Sequence, residues 1–515
     1  MKIREFVIFF ILNSILFFGL TRPDSYRGFM SHTDCSLIEL AQPSLVSAFK
    51  GDPKDFNNLY NYLKYTMIDG RFFPFLDIIR YVEAPVFRLN AYYYHISVYL
   101  IGVFSTLFFF ALLRLIGVSM LVAYLVSFTF QAGAYAEIWY GIAEGETWGA
   151  FFLLLSLVVF AMSIVKKKRF IGMGTTLILL ACLCKETFVF TIPFVILYFI
   201  LFYACKNNLD FLIATKQTRK TWIALVIVMM ITLIMIGIPI FFSHIYYHYG
   251  YPASRLKNGF VNLISILKPC LFLFPILILF KSGWKGINKY MIATAVITFG
   301  WVMMQLIVHR DFTMLVSRYL IPAAIAPFIL LALTLDYFNT RNWKKYYLLV
   351  TGIYLIMLGY RFYTVRRDSS LLAQDTNSYN QMLDFLADNH IQSVGISGVP
   401  LGSWEFMKTT TYLLKARNMD VNFFFIPQPN TTVDPTYSET NAALLPEIQL
   451  RYKIIPLQDA SKLKSEWIIF LSGKPDDLHL IPVYSYNYEG TFPRFNYKNF
   501  SIEQVRRPFF TLIKT

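Results

Sequence analysis

Charged residues are scarce in this chain. Asp, Glu, Lys and Arg make up only 15% of its 515 residues, whereas a soluble domain carries about a quarter. Hydrophobic residues account for 56%, and the mean hydropathy is +0.50. This composition excludes an ordinary soluble protein and favours one that crosses a membrane several times.

Cysteine and the common chemical motifs are also scarce. Four of the five cysteines lie in or beside apolar runs, so neither a disulfide framework nor a zinc-binding spacing follows. The polar C-terminal part has no phosphate-binding glycine loop and no nucleophile elbow. His244 and His248 lie four residues apart, but the glutamate of a metalloprotease motif is missing between them. We interpret these histidines as part of an aromatic belt at the membrane surface.

Apolar runs recur about eleven times before residue 361. Several are shorter than the ~20 residues of a full crossing, so their bounds are approximate. A Lys268-Pro269 pair interrupts the eighth run, where a lysine at the membrane surface is favoured over one inside the membrane. The predicted spans are residues 5–21, 92–114, 118–137, 147–165, 170–184, 187–205, 221–242, 261–280, 290–308, 320–338 and 346–360.

The loops between these runs alternate in charge. Basic clusters such as Lys166–Arg169 fall on one side, and most acidic residues fall on the other. Because short basic loops stay cytoplasmic, the N-terminus is predicted inside and the C-terminus outside. Of the net charge of +16, +15 comes from residues 1–360, which hold 31 basic and 16 acidic residues, and +1 comes from residues 361–515, which hold 16 and 15. Topology explains this excess, so no nucleic-acid partner is expected.

The chain therefore divides into two predicted domains. Residues 1–360 form a polytopic α-helical membrane domain of about 11 transmembrane helices. Its first outer loop, about 22–90, contains apolar residues at helical spacing in 36–49 and 55–67, which predicts juxtamembrane helices. Residues 361–515 alternate helical and strand-like segments, which predicts a small extracytoplasmic α/β domain.

Three short strings in the membrane half resemble the GT-C superfamily of integral membrane glycosyltransferases, which includes protein O-mannosyltransferases and aminoarabinose transferases. The first, His32–Ala41, is similar to the family's acidic string, although Cys35 follows Asp34 where many members have a second acid. The second is Leu183–Thr187, with its Lys-Glu pair, and the third is Arg318–Pro322. The layout of a long first outer loop, many spans and an outer C-terminal domain is similar as well.

The resemblance implies roles for individual residues. Sugar transfer from a lipid phosphate needs a base for the acceptor hydroxyl and cations for the departing phosphate. Asp34 is the candidate catalytic base, and its structural alternative is an N-cap of the helix that follows. Lys185 and Arg318 are candidates for binding the donor phosphate; an interfacial ion pair and a headgroup anchor are their alternatives.

Other outer-loop residues are weaker candidates. Arg71 lies in the string Asp69–Pro74, which favours a turn but could also bring a cation to the phosphate. Possible contacts to acceptor or sugar are Asp69, Glu137, Glu146 and Glu186. Residues such as Glu137 and Glu146 more often simply solvate a loop, and the alternative for Glu186 is an interfacial ion pair with Lys185.

These observations predict a membrane glycosyltransferase. It would move a sugar from a polyprenyl-phosphate donor to a glycan, lipid or protein acceptor of the cell envelope, among membrane lipids. No cofactor is expected, and a divalent metal requirement stays open. The alternatives are a transporter or flippase of lipid-linked sugars and a non-catalytic membrane anchor. A transporter usually shows matching halves and charges near the midplane, and this chain has neither pattern.

Overall fold

The computed structural model of the chain is mostly helical. It describes residues 3–25, 28–29, 35–41, 59–60, 63, 73–133, 135–142, 145–167, 170–246, 289–308, 321–340, 344–398, 409–419, 421–427, 453–454, 467–470, 482–488 and 507–514. The helices that follow are α1 (Ile3–Thr21), α2 (Cys35–Ala41), α3 (Pro74–Phe87), α4 (Ala91–Leu115), α5 (Met120–Gln131), α6 (Gly145–Lys166), α7 (Ile171–Cys184), α8 (Ile192–Asn207), α9 (Phe211–Gln217), α10 (Arg219–Tyr246), α11 (Lys289–Val308), α12 (Ile321–Thr340) and α13 (Lys344–Asp388). Three 3-10 helices lie at Pro23–Ser25, Ala136–Trp139 and Glu186–Thr191.

The protein has the helices of a multi-pass membrane protein. Within the described residues, five segments are long and apolar enough to cross a membrane: Ile3–Ser25, Ala91–Leu115, Gly145–Lys166, Glu186–Asn207 and Arg219–Gly237. Four shorter apolar helices accompany them, at Met120–Gln131, Ile171–Cys184, Met291–Gln305 and Ile321–Tyr337. Every predicted span except 261–280 coincides with a described helix. The span 261–280 lies outside the described residues.

The structure describes the first outer loop only in part and adds a helix that was not predicted. Of the predicted helix at 36–49 it describes residues 36–41, within α2, and most of the predicted helix at 55–67 lies outside the described residues. The 14-residue helix α3 was not predicted, because the string Asp69–Pro74 was interpreted only as a turn. Pro74 begins α3, a position that suits proline because the missing N–H is not needed there.

Helix α13 joins the bundle to the C-terminal region without a break. It runs for 45 residues, so the helix continues well beyond residue 360, where the last predicted span ends. No glycine or proline follows Gly359 within the helix, and nothing in the sequence therefore stops it where the polar residues begin. Tyr354 and Leu358 belong to the bundle core, whereas Tyr379 and Leu383 belong to a second core.

The strands that the structure describes in the C-terminal region form one six-stranded sheet. They are β1 (Ser393–Gly398), β2 (Asn422–Pro427), β3 (Lys453–Ile454), β4 (Trp467–Phe470), β5 (Pro482–Tyr488) and β6 (Arg507–Lys514), in the order β3-β2-β1-β4-β6-β5. Strands β3, β2, β1 and β4 are parallel, and β6 pairs antiparallel with both β4 and β5. Three strands were predicted, at 394–396, 421–426 and 467–471, and they coincide with β1, β2 and β4.

The second core joins the first loop to the C-terminal region. Leu37 and Ile38 of α2 are buried in the same cluster as Tyr379 and Leu383 of α13 and Val394 of β1. A short helix at residues 409–415 adds Tyr412, Leu413 and Leu414 to this cluster. The helix that directly follows Asp34 in the sequence is therefore held by the C-terminal region.

Candidate functional site

Lys185 lies at a break between two helices. Helix α7 ends at Cys184, Lys185 is extended (φ −159°, ψ 126°), and the 3-10 helix Glu186–Thr191 leads into α8. Pro193, near the start of α8, has no backbone N–H to donate an α-helical hydrogen bond to an earlier residue. The predicted span 187–205 therefore begins with a 3-10 helix and continues as the α-helix α8. The end of the bundle at which α7 ends and α6 begins is called the Lys185 end below.

The Lys185 ammonium is buried between two carboxylates. Its Nζ lies 3.4 Å from Oε1 of Glu146 and 3.8 Å from Oε1 of Glu186, and 4.7 Å above the ring of Phe73. The side chain of Glu146 is 2% exposed and that of Lys185 is 11% exposed, whereas Glu186 is 34% exposed. Removing one member of a pair this deeply buried leaves the other charge uncompensated, which is strongly destabilising.

Close backbone packing brings Glu146 to Lys185. A Cβ at the preceding Gly145 would lie 2.6 Å from the carbonyl oxygen of Cys184, so only glycine permits this approach of α6 to α7. Glu146 lies in the first turn of α6, where the positive end of the helix dipole stabilises a carboxylate. Thr147 anchors the turn by donating a hydrogen bond to the carbonyl of Ile138 at 2.6 Å.

Helix α3 of the first loop brings two more charged residues to the Lys185 end. Asp77 is 2% exposed, and Arg80 lies about one turn further along α3. Helix α3 packs against both α2 and α7, the helix that ends next to Lys185. Neither residue was predicted for the site. Pro74 followed by an apolar stretch is a helix-start signal that would have indicated α3.

Buried acceptor oxygens lie on the segment that follows Lys185 and on α11. Nε2 of Gln305 on α11 donates to the carbonyl oxygen of Thr187 at 3.5 Å. Within the described residues, Oε1 of Gln305, Oγ1 of Thr187 and Oε2 of Glu186 have no hydrogen-bond partner. Gln305 is fully buried and Thr187 is 5% exposed. Buried acceptors of this kind usually bind water or a ligand that donates hydrogen bonds.

The structure brings together three of the predicted site residues: Lys185, Glu146 and Glu186. Glu137 lies on the 3-10 helix Ala136–Trp139, next to the buried Ile138, and its side chain is outside the described residues. The remaining four predicted residues also lie outside them: Asp34, Asp69, Arg71 and Arg318. Convergence of Asp34 and Arg318 with Lys185 stays a prediction.

A metal centre is not built by the part of the chain that the structure describes. It contains no group of three or more His, Cys, Asp or Glu side chains arranged to hold a metal ion. His244 lies near the end of α10, and His248 lies outside the described residues.

Comparison with known proteins identifies the fold. No protein-family model and no curated protein matches the chain. The crystal structure of ArnT from Cupriavidus metallidurans in the apo state matches it with a TM-score of 0.52, over 98% of this chain and 97% of that chain, at 13% sequence identity. The chain has the fold of ArnT. The predicted resemblance is therefore confirmed at the level of the fold.

Proposed function

We propose that this protein is a membrane glycosyltransferase of the GT-C type. It takes a sugar from a polyprenyl-phosphate donor and transfers it, with inversion, to a cell-envelope acceptor outside the cytoplasmic membrane. The observation that carries the proposal is the buried Lys185 between Glu146 and Glu186, at the end of an ArnT-like bundle and beside the first-loop helix α3.

Lys185 binds the departing phosphate in this proposal. A phosphate oxygen that approaches the ammonium shares it with Glu146, whose carboxylate keeps the cation in place before the donor arrives. In a site that excludes water, such a preorganised cation stabilises the charge that develops on the leaving group far better than it would in solution. Arg318 and Arg71 are the further cations that we assign to the donor phosphate.

Asp34 accepts the proton of the acceptor. The acceptor oxygen forms a bond to the anomeric carbon of the sugar, while the bond between that carbon and the phosphate oxygen breaks. The lipid phosphate leaves with the bonding electron pair, and the proton of the acceptor hydroxyl moves to Asp34. Attack from the face opposite the leaving group inverts the anomeric configuration.

The sugar itself needs hydrogen-bond partners. We assign this role to the unpaired acceptor oxygens of Glu186, Thr187 and Gln305, which are adjacent to Lys185 in sequence or in contact with that segment. Hydroxyl or amino groups of a sugar donate to such oxygens. Glu137 and Asp69 are further candidates for contacts to sugar or acceptor.

The test is an assay of product and leaving group. Purified protein is incubated with a panel of polyprenyl-phosphate sugars and a cell-envelope extract, and the product is analysed by NMR. The expected result is release of the lipid phosphate and a glycosidic bond of inverted configuration. Movement of intact lipid-linked sugar across vesicles, without any lipid phosphate released, would instead support a flippase.

A further inference from the structure

Helix α9 lies at the end of the bundle opposite the Lys185 end. It connects α8 to α10, and the segments that precede and follow it, Glu186–Asn207 and Arg219–Gly237, are both long and apolar enough to cross a membrane. Because α8 follows the break after Lys185, its other end lies on the opposite side of the membrane. Only residues 208–218 separate the two spans, so α9 has to lie close to the membrane surface.

Two aromatic residues fix α9 to the ends of these spans. The hydroxyl of Tyr203 on α8 donates a hydrogen bond to Oε1 of Gln217 at 3.0 Å, and Nε1 of Trp222 on α10 donates to the carbonyl oxygen of Thr215 at 3.1 Å. Ala214 is fully buried against the end of α8. Because Tyr and Trp prefer the level of the lipid headgroups, these contacts hold α9 at that level.

The side of α9 that faces away from α8 and α10 is apolar. Phe211 is 43% exposed, Leu212 is 76% exposed and Ile213 is 46% exposed. Three consecutive exposed apolar residues are unfavourable in water, whereas at a membrane surface they insert among the lipid chains. Lys216 is exposed and lies one turn after Leu212 on the same face. Its apolar stem can therefore lie beside the lipid chains while its ammonium reaches the headgroups.

Cations dominate the surface around α9. Residues 206–220 contain Lys206, Lys216, Arg219 and Lys220, and Asp210 is their only acidic residue. All four cations are exposed, and none of them forms an ion pair within the described residues. Basic residues at this level attract anionic lipids. An exposed apolar patch bordered by cations matches one chemistry, an anionic head attached to hydrocarbon chains.

We propose that α9 and the adjoining ends of α8 and α10 bind an anionic glycerophospholipid of the surrounding membrane. Lys216 and Lys220 hold its phosphate, and its acyl chains lie beside Leu212. The site is independent of the proposed sugar transfer, because it lies at the opposite end of the bundle from Lys185. A bound lipid there joins the ends of two neighbouring spans.

The connection between α6 and α7 provides a matched control. It lies at the same end of the bundle as α9, because α6 begins and α7 ends at the Lys185 end. It also carries exposed cations, Lys166 and Lys167. Only residues 167–170 separate the two helices, which is too short a segment for a helix with an apolar face. This connection therefore has the charge of the proposed site without its apolar patch.

The first experiment measures lipid binding to the purified full-length protein by native mass spectrometry. Phosphatidylglycerol is compared with phosphatidylcholine of the same acyl chains, for the wild type, for the double variant Lys216→Gln with Lys220→Gln, and for the control Lys166→Gln with Lys167→Gln. We expect the first double variant to bind phosphatidylglycerol about thirtyfold more weakly than the wild type and the control, since each basic residue near the surface contributes about fivefold. No preference for phosphatidylglycerol in the wild type, or an equal loss in both double variants, overturns the proposal.

The second experiment uses only the wild type, so it does not depend on how a variant folds. Phosphatidylglycerol with a photoreactive group on its head is bound and irradiated, with and without glycerol phosphate as a soluble competitor. Labelling of the peptide that contains α9 and the start of α10 is expected, and the competitor should not reduce it. Labelling spread evenly over the basic connections of the bundle contradicts the proposal. Loss of the label to glycerol phosphate also contradicts it, because the site would then bind a soluble phosphate.

Discussion

Asn380 of α13 donates a hydrogen bond from Nδ2 to the carbonyl oxygen of Phe29, at 3.2 Å. Two further side chains of the same helix bond the start of the first loop in the same way. Ser369 donates to the carbonyl oxygen of Thr21 at 2.6 Å, and Asn377 donates to that of Ser25 at 2.9 Å. The helix that leads to the C-terminal sheet therefore holds the backbone just before Asp34 at three points.

The hydrogen bond of Asn380 to the first loop depends on the glycine at position 28. A Cβ at Gly28 would collide with the side chain of Asn380. We expect Gly28→Ala to destabilise the protein, and Asn380→Ala to cost about 1 kcal/mol, the usual net value of one hydrogen bond. In the double variant the collision is gone, so its loss should be smaller than the sum of the two.

Thermal unfolding of the wild type, the two single variants and the double variant measures the coupling between Gly28 and Asn380. Gly19→Ala is the matched control, because nothing lies within 4 Å of the Cβ it would add. Losses for Gly28→Ala and Asn380→Ala that simply add in the double variant would show that the two residues do not interact.

Variants of the ion pair between Lys185 and Glu146 distinguish a structural role of Lys185 from a role in phosphate binding. Lys185→Met leaves the buried Glu146 carboxylate without this ammonium, and we expect a loss of about 3–5 kcal/mol in unfolding free energy. Adding Glu146→Gln removes the uncompensated charge and should restore most of the stability. Transfer should stay low in the double variant, because the lipid phosphate no longer meets the Lys185 ammonium.

Unfolding and transfer are measured on the same preparations of both variants. Recovery of transfer together with stability in the double variant would limit Lys185 to a structural role. A Lys185→Met protein as stable as the wild type would contradict the buried ion pair.

Glu83 on α3 should make stability depend on pH. Burial raises the pKa of its carboxyl above the ordinary value of 4.5, although a hydrogen bond from Ser97 and the charge of Arg80 act in the opposite direction. The folded chain therefore keeps a proton that the unfolded chain loses, and stability falls as pH rises from about 4.5 through the raised pKa. Glu83→Gln should flatten this part of the curve of melting temperature against pH. An unchanged slope in the variant would assign the dependence to other groups.

Membrane orientation is tested by reporter fusions. We predict that residues after Arg361 lie outside and that Lys166–Arg169 lies inside, because short basic loops stay cytoplasmic. Fusions at Lys168 and Lys408 should therefore report opposite compartments. If both fusions report the same compartment, the proposed orientation is wrong, and so is the placement of Lys185 on the outer face.

The sequence predicted the bundle better than the site. Long apolar runs define helices such as α4 and α6 by themselves, since their length and composition suffice. The pairing of Glu146 with Lys185 joins the first turn of α6 to the break after α7, and it depends on the close approach at Gly145, which is a property of packing. Strands β3, β5 and β6 were not predicted. Strands β5 and β6 pair antiparallel with each other, an arrangement that an alternation of helix and strand does not indicate.

The most direct test of the central claim is the rate at which lipid phosphate is released from a polyprenyl-phosphate sugar by the wild type and by Asp34→Asn. Asparagine keeps the capacity to cap α2 but cannot accept the proton, so folding should be unchanged while release falls by about 10²–10⁴. Asp34→Ala removes cap and base together and serves only as a comparison. Release by the wild type and its loss in a well-folded Asp34→Asn protein is the predicted result. Equal release by both proteins, or none by the wild type with any sugar donor, would contradict the account.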